Sequence, residues 1–239
     1  MDADYAARYR DLYRRHWWWR SREAVVLHEI RGLVPQDRPA RILDVGCGDG
    51  LFFDQLKVFG TIEGVEPDTS MLDPQGPWRA AIHAGPFDET FHPAHRYDVI
   101  LMMDVIEHMD RPDQAVRHAL ELLEPQGHLL VTVPAFSWLW TRHDELNHHL
   151  RRYNRRGLRD LLRDAGLVIE RERFLFQWVV PAKLLVRMWE RVHRAPPRPP
   201  SVPVAPVNGL LWAMTRAELA IAMRLPIPFG SSLLMIGRS

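Results

Sequence analysis

The sequence lacks the features that mark secreted, membrane-spanning and nucleic-acid-binding proteins. Its 239 residues include one cysteine, Cys47, which excludes an internal disulfide framework and indicates a reducing compartment. No uncharged apolar run reaches the roughly 18 to 20 residues that a membrane-spanning helix needs, and residues 1–10 are polar and charged, unlike a signal peptide. The formal net charge of +1 gives no general attraction to nucleic acid. We therefore expect a cytoplasmic protein that does not bind nucleic acid.

The composition is that of an ordinary globular protein, with 46% hydrophobic and 26% charged residues. From residue 38 onward short apolar runs alternate with helical patterns, which is typical of a parallel sheet covered by helices on both faces. We predict a single α/β domain over residues 1–239 with a doubly wound, Rossmann-like sheet. Within it we distinguish a helical cap (1–37), the core (38–176), a helical, proline-rich insertion (177–229) and a last strand (230–239).

The stretch RILDVGCGDG, residues 41–50, is the most informative part of the sequence. A buried apolar strand ends at Val45 and turns through Gly46, Gly48 and Gly50. Glycine adopts positive φ readily and lets the backbone approach a ligand closely. The helix predicted over residues 51–59 would then present free N–H groups to an anion. The turn predicts a site for a carboxylate or a phosphate, and a tight turn that binds nothing is the alternative.

The spacing of this turn distinguishes two classes of cofactor. A dinucleotide site reads G-x-G-x-x-G, whereas here the glycines read G-x-G-x-G and Asp44 precedes the first of them by two residues. Asp44 to Gly50 resembles motif I of the class I S-adenosylmethionine-dependent methyltransferases, and residues 38–176 with the last strand are similar to the bacterial UbiE and Coq-type group. The resemblance implies a seven-stranded sheet whose last strand runs antiparallel beside the sixth. It also implies S-adenosylmethionine as cofactor and S-adenosylhomocysteine as product.

Glu66 ends the second predicted strand, 20 residues after Gly46, the interval at which a βαβ unit delivers a carboxylate to a ribose. A carboxylate can accept hydrogen bonds from both hydroxyl groups of the sugar. The alternative interpretation of Glu66 is a solvated acid at the end of a strand. In the family the methionine carboxylate would meet the glycine turn, and the adenine would pack on Met102 or on the loop 84–87. The predicted cofactor-binding residues are Asp44, Gly46, Cys47, Gly48, Glu66, Pro67, Met102 and Met103.

The first candidate for catalysis is His108, just past the fourth predicted strand. Asp104, Glu107 and His108 resemble the E-x-x-E-H pattern of ubiquinone-biosynthesis O-methyltransferases, in which a metal ion has been implicated. Two carboxylates and an imidazole can hold a divalent cation. A capped helix start, with Asp110 as N-cap, would explain the same letters, and we expect no metal.

A second cluster follows the fifth predicted strand, where the substrate loop of this family usually lies. An imidazole is a suitable general base because its unperturbed pKa is about 6.5. The histidine spacing matches no standard zinc site, and Arg151 and Arg152 are either anion ligands or a solvated turn. The cluster comprises His143, Asp144, His148, His149 and Tyr153. The predicted catalytic residues are His108, His143, His148 and Tyr153.

Two helical additions flank the predicted core. The cap, a helix over 4–34 rich in tryptophan, either packs on the sheet or covers the ligand crevice. The insertion has a helix over 178–193, six prolines between Pro196 and Pro206, and a helix over about 207–224. Its basic positions Lys183, Arg187, Arg191 and Arg194 indicate either peripheral contact with an anionic membrane or a solvated face of a packed helix. We expect the insertion to be a mobile lid or a dimer contact over the acceptor pocket.

The function predicted from these residues is S-adenosylmethionine-dependent methyl transfer, to an oxygen of a small or lipid-like hydrophobic acceptor. Aromatic side chains line pockets for apolar ligands, which favours such an acceptor. Two other classes remain open: a non-catalytic S-adenosylmethionine-binding module and a nicotinamide-dependent oxidoreductase. The acceptor and the oligomeric state are left open by the sequence.

Overall fold

A computed structural model describes residues 10–193, 200–222, 225 and 227–239. Seven strands form one sheet in the order β3-β2-β1-β4-β5-β7-β6. Adjacent strands from β3 to β5 are parallel, and β7 is antiparallel to both β5 and β6. The strands are β1 (Ala40–Val45), β2 (Gly60–Glu66), β3 (Ile82–Ala84), β4 (Tyr97–Met103), β5 (Leu123–Pro134), β6 (Val168–Leu175) and β7 (Ser232–Arg238). The predicted Rossmann-like fold with an antiparallel last strand is confirmed.

The sheet is buried on both faces because helices and loops cover each side. β4 is buried along nearly its whole length, as its run of apolar residues predicted. Since β7 alone runs against the others, the carboxyl ends of β1, β2, β4, β5 and β6 lie at one edge. Ligands bind beyond that edge in open α/β sheets.

The described helices are α1 (Trp17–Ile30), α2 (Phe53–Leu56), α3 (Pro112–Leu122), α4 (Arg142–Leu146), α5 (Arg155–Asp164), α6 (Val179–Val192) and α7 (Ala205–Ala222). Asn154 caps α5, as predicted, by accepting from the Gly157 N–H at 2.7 Å. Two predictions were wrong. The helix after the glycine turn, expected over 51–59, is the four-residue α2, and α3 has Arg111 rather than Asp110 as N-cap. Pro112 occupies the first turn of α3, where its missing N–H removes one donor that would otherwise need a partner.

The cap packs against the insertion. Residues 10–15 are helical and α1 follows after His16, so the helix predicted over 4–34 is interrupted; its part before residue 10 lies outside the described residues. The Trp17 backbone N–H donates to Asn208 Oδ1 at 3.0 Å, and the rings of Trp17 and Trp178 are 5.1 Å apart. The tryptophans of the cap therefore hold two segments that are distant in sequence.

The insertion begins where β6 ends, at the ligand-binding edge of the sheet. α6 and α7 match the two predicted helices, although residues 194–199, with Arg194 and half of the prolines, and residues 223 and 224 lie outside the described residues. Val180 is the one residue of α6 that is buried. None of the described helices is long and apolar enough to cross a membrane.

Candidate active site

The glycine turn has the backbone that its sequence predicted. Gly46, Gly48 and Gly50 have φ values of 71°, 56° and 68°. A Cβ placed on Gly46 would lie 2.8 Å from Val105 Cγ2, so neither the dihedral nor the space admits a larger residue. The Gly46 N–H donates to the Val65 carbonyl at 2.8 Å, which fixes the turn against the end of β2.

Two carboxylates lie beneath this turn. Asp44 is 2% exposed, and its Oδ1 has no hydrogen-bond partner among the described residues. Burial raises the pKa of Asp44 to about 7, although Arg22 opposes the shift. Glu66 accepts hydrogen bonds from the Gly48 N–H at 2.8 Å and the Asp68 N–H at 2.9 Å. Each Glu66 oxygen keeps lone-pair capacity for a further donor.

The cap reaches the same crevice. Arg22 of α1 pairs with Asp104 at 2.5 Å and lies 5.0 Å from the centre of the Trp18 ring. Asp104 follows β4 with φ of 56°, a left-handed conformation that non-glycine residues adopt at a cost. Arg10 pairs with Asp49 of the glycine turn at 2.9 Å. The cap thus covers the ligand edge as well as packing on the fold.

The other predicted cofactor residues differ in accessibility. Cys47 is partly buried beside Gly64, and Pro67 is exposed just past β2. Met102 has 0% exposure and belongs to the core, so the structure does not offer it to an adenine; the partly exposed Met103 lies next to it. The Gly85 N–H donates to the Glu66 carbonyl at 3.0 Å, which brings the loop 84–87 to the crevice.

Across the crevice, the loop after β4 and the loop after α4 bring Glu107, His108 and His149 together. One ligand atom from each lies within 4.8 Å of the others. The His108 and His149 rings are T-shaped with centroids 4.8 Å apart. Glu107 has 0% exposure, neither of its carboxylate oxygens has a partner among the described residues, and burial raises its pKa well above the usual range. Desolvation and the neighbouring His149 lower the pKa of His108, although more than a third of the residue is accessible, which moderates the shift.

Asp144 organises the acceptor side. It has 0% exposure and accepts from Arg152 Nε at 2.8 Å, from Arg152 Nη2 at 3.0 Å and from the Thr141 N–H at 2.9 Å. His149 Nδ1 lies 2.9 Å from Asp144 Oδ1. Burial alone would raise the pKa of Asp144, but the hydrogen bonds from His149 and Arg152 hold it below its usual range. An ionised Asp144 can only accept, so His149 Nδ1 carries a hydrogen and Nε2 is left as the basic atom.

A model of the methyltransferase domain matches residues 18–172, about two thirds of the chain. The chain belongs to this methyltransferase family. The match begins in α1 and ends in β6, and it includes the glycine turn, Glu66 and the His108–His149 pair. The cap from Trp18 onward is therefore part of the family domain.

Relatives of known name match a shorter stretch of the methyltransferase. A ubiquinone biosynthesis O-methyltransferase of Azorhizobium caulinodans is 33% identical over 113 residues, which cover 44% of this chain and 44% of the relative. One of the same name from Coxiella burnetii is 27% identical over 143 residues, covering 54% of this chain and 61% of the relative. The matched stretch thus spans about half of these relatives.

Solved structures share the fold at low identity. A putative methyltransferase of Haloferax volcanii, solved with the Trm112 methyltransferase activator, superposes with a TM-score of 0.61 at 18% identity, over 98% of this chain and 94% of that one. An S-adenosylmethionine-dependent methyltransferase of Archaeoglobus fulgidus gives a TM-score of 0.58 at 14% identity, over 91% and 94%. The class I methyltransferase fold therefore extends over nearly the whole chain.

The predicted catalytic residues of this methyltransferase do not form one group. Tyr153 is buried, donates its hydroxyl hydrogen to the Ile106 carbonyl at 3.2 Å, and has a pKa raised to about 12 by burial, an arrangement that does not favour a base. His148 is exposed with φ of 56° and adjoins the pair through its backbone. His143 Nε2 lies 2.9 Å from Asn147 Nδ2. Desolvation and Lys183 lower the pKa of His143, although more than a third of the residue is accessible, which moderates the shift.

Three features of the site were not predicted from the sequence. The sequence did not distinguish His149, which contacts Asp144, from the other histidines of its cluster. It also did not indicate that the carboxylate of Glu107 would be buried without a hydrogen-bond partner among the described residues. Lys183 was read as part of a basic stripe, whereas its charge acts on Asp144, Arg152 and Asp104, and burial lowers its pKa to about 8. α6 is held in that place because Arg142 donates its N–H to Glu190 Oε2 at 3.2 Å and its Nη2 to the Glu190 carbonyl at 3.0 Å. A side-chain contact between segments 40 residues apart leaves no local signal.

The metal-ligand set suggested by the E-x-x-E-H resemblance is altered. Asp104 is engaged by Arg22, and His149 stands beside Glu107 and His108 in its place. Two imidazoles and a carboxylate suit several divalent cations. Glu107, His108 and His149 can therefore provide either a general base or a cation site. Removal of metal ions with a chelator distinguishes these two possibilities.

Proposed function

We propose that the chain transfers a methyl group from S-adenosylmethionine to a hydroxyl oxygen of a hydrophobic, lipid-like acceptor, releasing S-adenosylhomocysteine. One observation carries the proposal: an orphaned, buried carboxylate oxygen of Asp44 lies beneath a positive-φ glycine turn, at the same sheet edge as the His149–Asp144 pair. Asp44 and the glycine turn suit the zwitterionic amino-acid part of the cofactor, and the His149–Asp144 pair suits removal of a proton.

The cofactor residues fit the amino acid and sugar of S-adenosylmethionine. The unpartnered Oδ1 of Asp44 would accept from the methionine ammonium, and the turn would give its backbone N–H groups to the carboxylate. Glu66, already oriented by the Gly48 and Asp68 N–H groups, would accept from the ribose hydroxyls. When bound, the cofactor supplies a methyl group on a positively charged sulfur. The short α2 makes the dipole of a following helix a minor contribution.

The acceptor hydroxyl would lose its proton to His149 Nε2. Asp144 holds the tautomer and stabilises the imidazolium that forms, while Arg152 keeps Asp144 in place. The neutral His108 ring faces His149 and adds no competing charge. Lys183 lies close enough for its charge to act on Asp144, and would favour a developing oxyanion.

Two observations support oxygen and an apolar acceptor. The relatives named above are O-methyltransferases of ubiquinone biosynthesis, although only part of each is matched. The insertion beside the crevice has a cavity of about 690 Å³ lined by Trp178, Pro181, Met214, Ile221 and Phe229 among others. A cavity of this size and apolar lining suits a hydrocarbon group. Cytoplasmic location, expected from the lone cysteine, remains part of this proposal.

Isothermal titration with S-adenosylmethionine tests the cofactor site. Asp44→Ala and Glu66→Ala should each weaken binding at least about tenfold, because each removes a charged partner, whereas Asp54→Ala, whose exposed side chain pairs with Lys57, should not. Unchanged binding in both site variants would contradict the assignment. Preference for NAD in the same titration would support the oxidoreductase alternative.

Transfer of labelled methyl groups to catechols with and without an alkyl chain tests the reaction. We expect transfer that is faster for the alkylated acceptor. A protein that binds the cofactor but labels none of the panel, and whose cellular output survives joint replacement of His108, His143 and His149, would instead be a non-catalytic binding module.

A further inference from the structure

The insertion differs in charge from the rest of the chain. Residues 177–229 contain seven lysines and arginines and two acidic residues, a formal net of +5, in a chain whose total is +1. Both acids are occupied: Glu190 holds Arg142, and Glu218 Oε1 accepts from the Trp178 N–H at 2.6 Å. Burial raises the pKa of Glu218, so its negative charge is further reduced. Neither acid of the insertion therefore faces the exposed cations Arg191 and Arg216 as a free carboxylate.

The insertion also carries most of the exposed apolar surface. Of the 17 large hydrophobic residues that are exposed in the described part of the chain, 13 lie between residues 184 and 229. On α6, Leu185, Met188 and Val192 are 68%, 62% and 77% exposed at spacings of three and four residues, so they form one stripe. A patch of this extent on a soluble domain marks an interaction site.

The helix turns this stripe away from the protein. Lys183 and Arg187, on the opposite side of α6, are half-buried, and Lys183 acts on Asp144 within the acceptor site. Arg191 of α6 and Arg216 of α7 are exposed. Long arginine side chains can keep their charged ends at a headgroup while apolar neighbours lie deeper.

We propose that α6 and α7 form an interfacial docking surface for an anionic lipid bilayer, with the stripe of Leu185, Met188 and Val192 at the headgroup boundary. Apolar burial combined with attraction of arginines to anionic lipids is the physical basis of such binding. The main alternative occupant is a second copy of the chain. Charge decides against it, because a two-fold contact would bring two +5 insertions together, whereas an anionic surface complements them.

The position of the docking surface would let an apolar acceptor pass from the bilayer to the insertion. The insertion starts at the ligand edge of the sheet, and its apolar cavity of about 690 Å³ lies between α6 and α7. A hydrocarbon chain leaving the bilayer would meet this cavity on the same side of α6 as the stripe, at Trp178 and Pro181. This use depends on the proposed function, whereas lipid binding itself does not.

Flotation of the full chain with lipid vesicles tests the docking surface. We expect binding to phosphatidylcholine vesicles that contain phosphatidylglycerol, and much weaker binding to phosphatidylcholine alone. Leu185→Ser with Val192→Ser should reduce binding at least about tenfold, since each change removes an apolar side chain from the area buried against the bilayer. Arg191→Glu with Arg216→Glu should also reduce it, and high salt should act in the same direction.

Val58→Ser is the matched control, because Val58 is 74% exposed and lies outside the insertion, against 77% for Val192. Titration with S-adenosylmethionine confirms that each variant is folded, and it separates loss of docking from failure of the proposed function. Absence of vesicle binding by the unaltered chain would overturn the proposal. So would a dimer that the Leu185 and Val192 changes convert to monomer while vesicle binding stays the same, since the second copy would then be the occupant.

Discussion

Arg22 of α1 and Asp104, the residue after β4, form an ion pair with Nη1 and Oδ2 2.5 Å apart. Their side chains are 9% and 17% exposed, so the pair is largely removed from solvent. Arg22 also acts electrostatically on Asp44 and, together with Arg152, on Glu107, so its charge opposes the desolvation of several carboxyl groups at the crevice. The cap is therefore tied electrostatically to the site that it covers.

Arg22→Ala should lower the free energy of unfolding by about 3 kcal/mol, because one partner of a buried pair is left uncompensated. It should also weaken S-adenosylmethionine binding, since the cap loses its anchor over the crevice. Urea denaturation and calorimetric titration measure the two effects. Arg156→Ala is the control: its side chain is 90% exposed and pairs with Asp160 at 3.5 Å, so a loss below about 0.5 kcal/mol is expected. Equal losses in the two variants would contradict a role for burial.

Gly46→Ala should abolish tight cofactor binding while leaving a folded protein. The new methyl group would meet Val105 at 2.8 Å in a backbone of φ 71°, so the turn must shift. Gly209→Ala is matched in chemistry, but Gly209 lies inside α7 and nothing lies within 4 Å of its added Cβ. We expect that variant to gain up to about 1 kcal/mol from helix propensity and to bind the cofactor normally. Binding that survives in Gly46→Ala would place the cofactor elsewhere.

Structural features that depend on residues close together in sequence could be predicted. The apolar run of β4, the glycine turn and the Asn154 cap depend on residues within a few positions of one another, and each was confirmed. Motif I and the strand pattern likewise predicted the fold and the family. The length of α2 was not predictable, because the turn after Leu56 is fixed by a contact with β1, in which the Ala40 N–H donates to the Phe59 carbonyl at 2.9 Å.

Features that depend on distant contacts were missed. Tyr153 has the chemistry of a base, but its hydroxyl is used by the Ile106 carbonyl, 47 residues away in sequence. The role proposed for His149 depends on its contact with Asp144, and that proposed for Lys183 depends on the position of α6. Met102 was correctly placed at a strand end, yet its side chain turned toward the core. In each case the residue type was informative and its orientation was not.

Cofactor affinity should rise with pH between about 6 and 7.5, because Asp44, with a pKa of about 7, must ionise to accept from the ammonium group. Stability of the unliganded protein should show the opposite trend. The folded state binds a proton at Asp44 that the unfolded state releases near its ordinary pKa of 3.8, so this contribution falls as pH rises toward 7. Asp44→Asn should remove most of both dependences, as measured by titration calorimetry and urea denaturation across pH. Identical slopes in the variant would assign the titration to another group.

His149→Gln should lower kcat by a factor of about 10² to 10⁴, because it removes the general base. Cofactor affinity should not change, because the cofactor-binding residues stay intact. The rate of methyl transfer to the acceptor found in the labelling assay is the measurement. His148→Gln is the neighbouring control, since His148 is exposed and we expect its replacement to leave kcat near that of the unaltered chain. Asp144→Asn is less informative, because it also breaks the Arg152 pair.

Chelation separates the base from a metal ion at the same residues. We expect EDTA to leave kcat unchanged, because burial raises the pKa of Glu107 and its carboxyl would have to give up a proton before it could hold a cation. A rate lost to EDTA, restored by zinc or magnesium and reduced by Glu107→Gln would instead assign Glu107, His108 and His149 to metal binding. Replacement of His108 adds an independent criterion: a kcat that falls in His108→Gln and not in His149→Gln would transfer the role of base to His108.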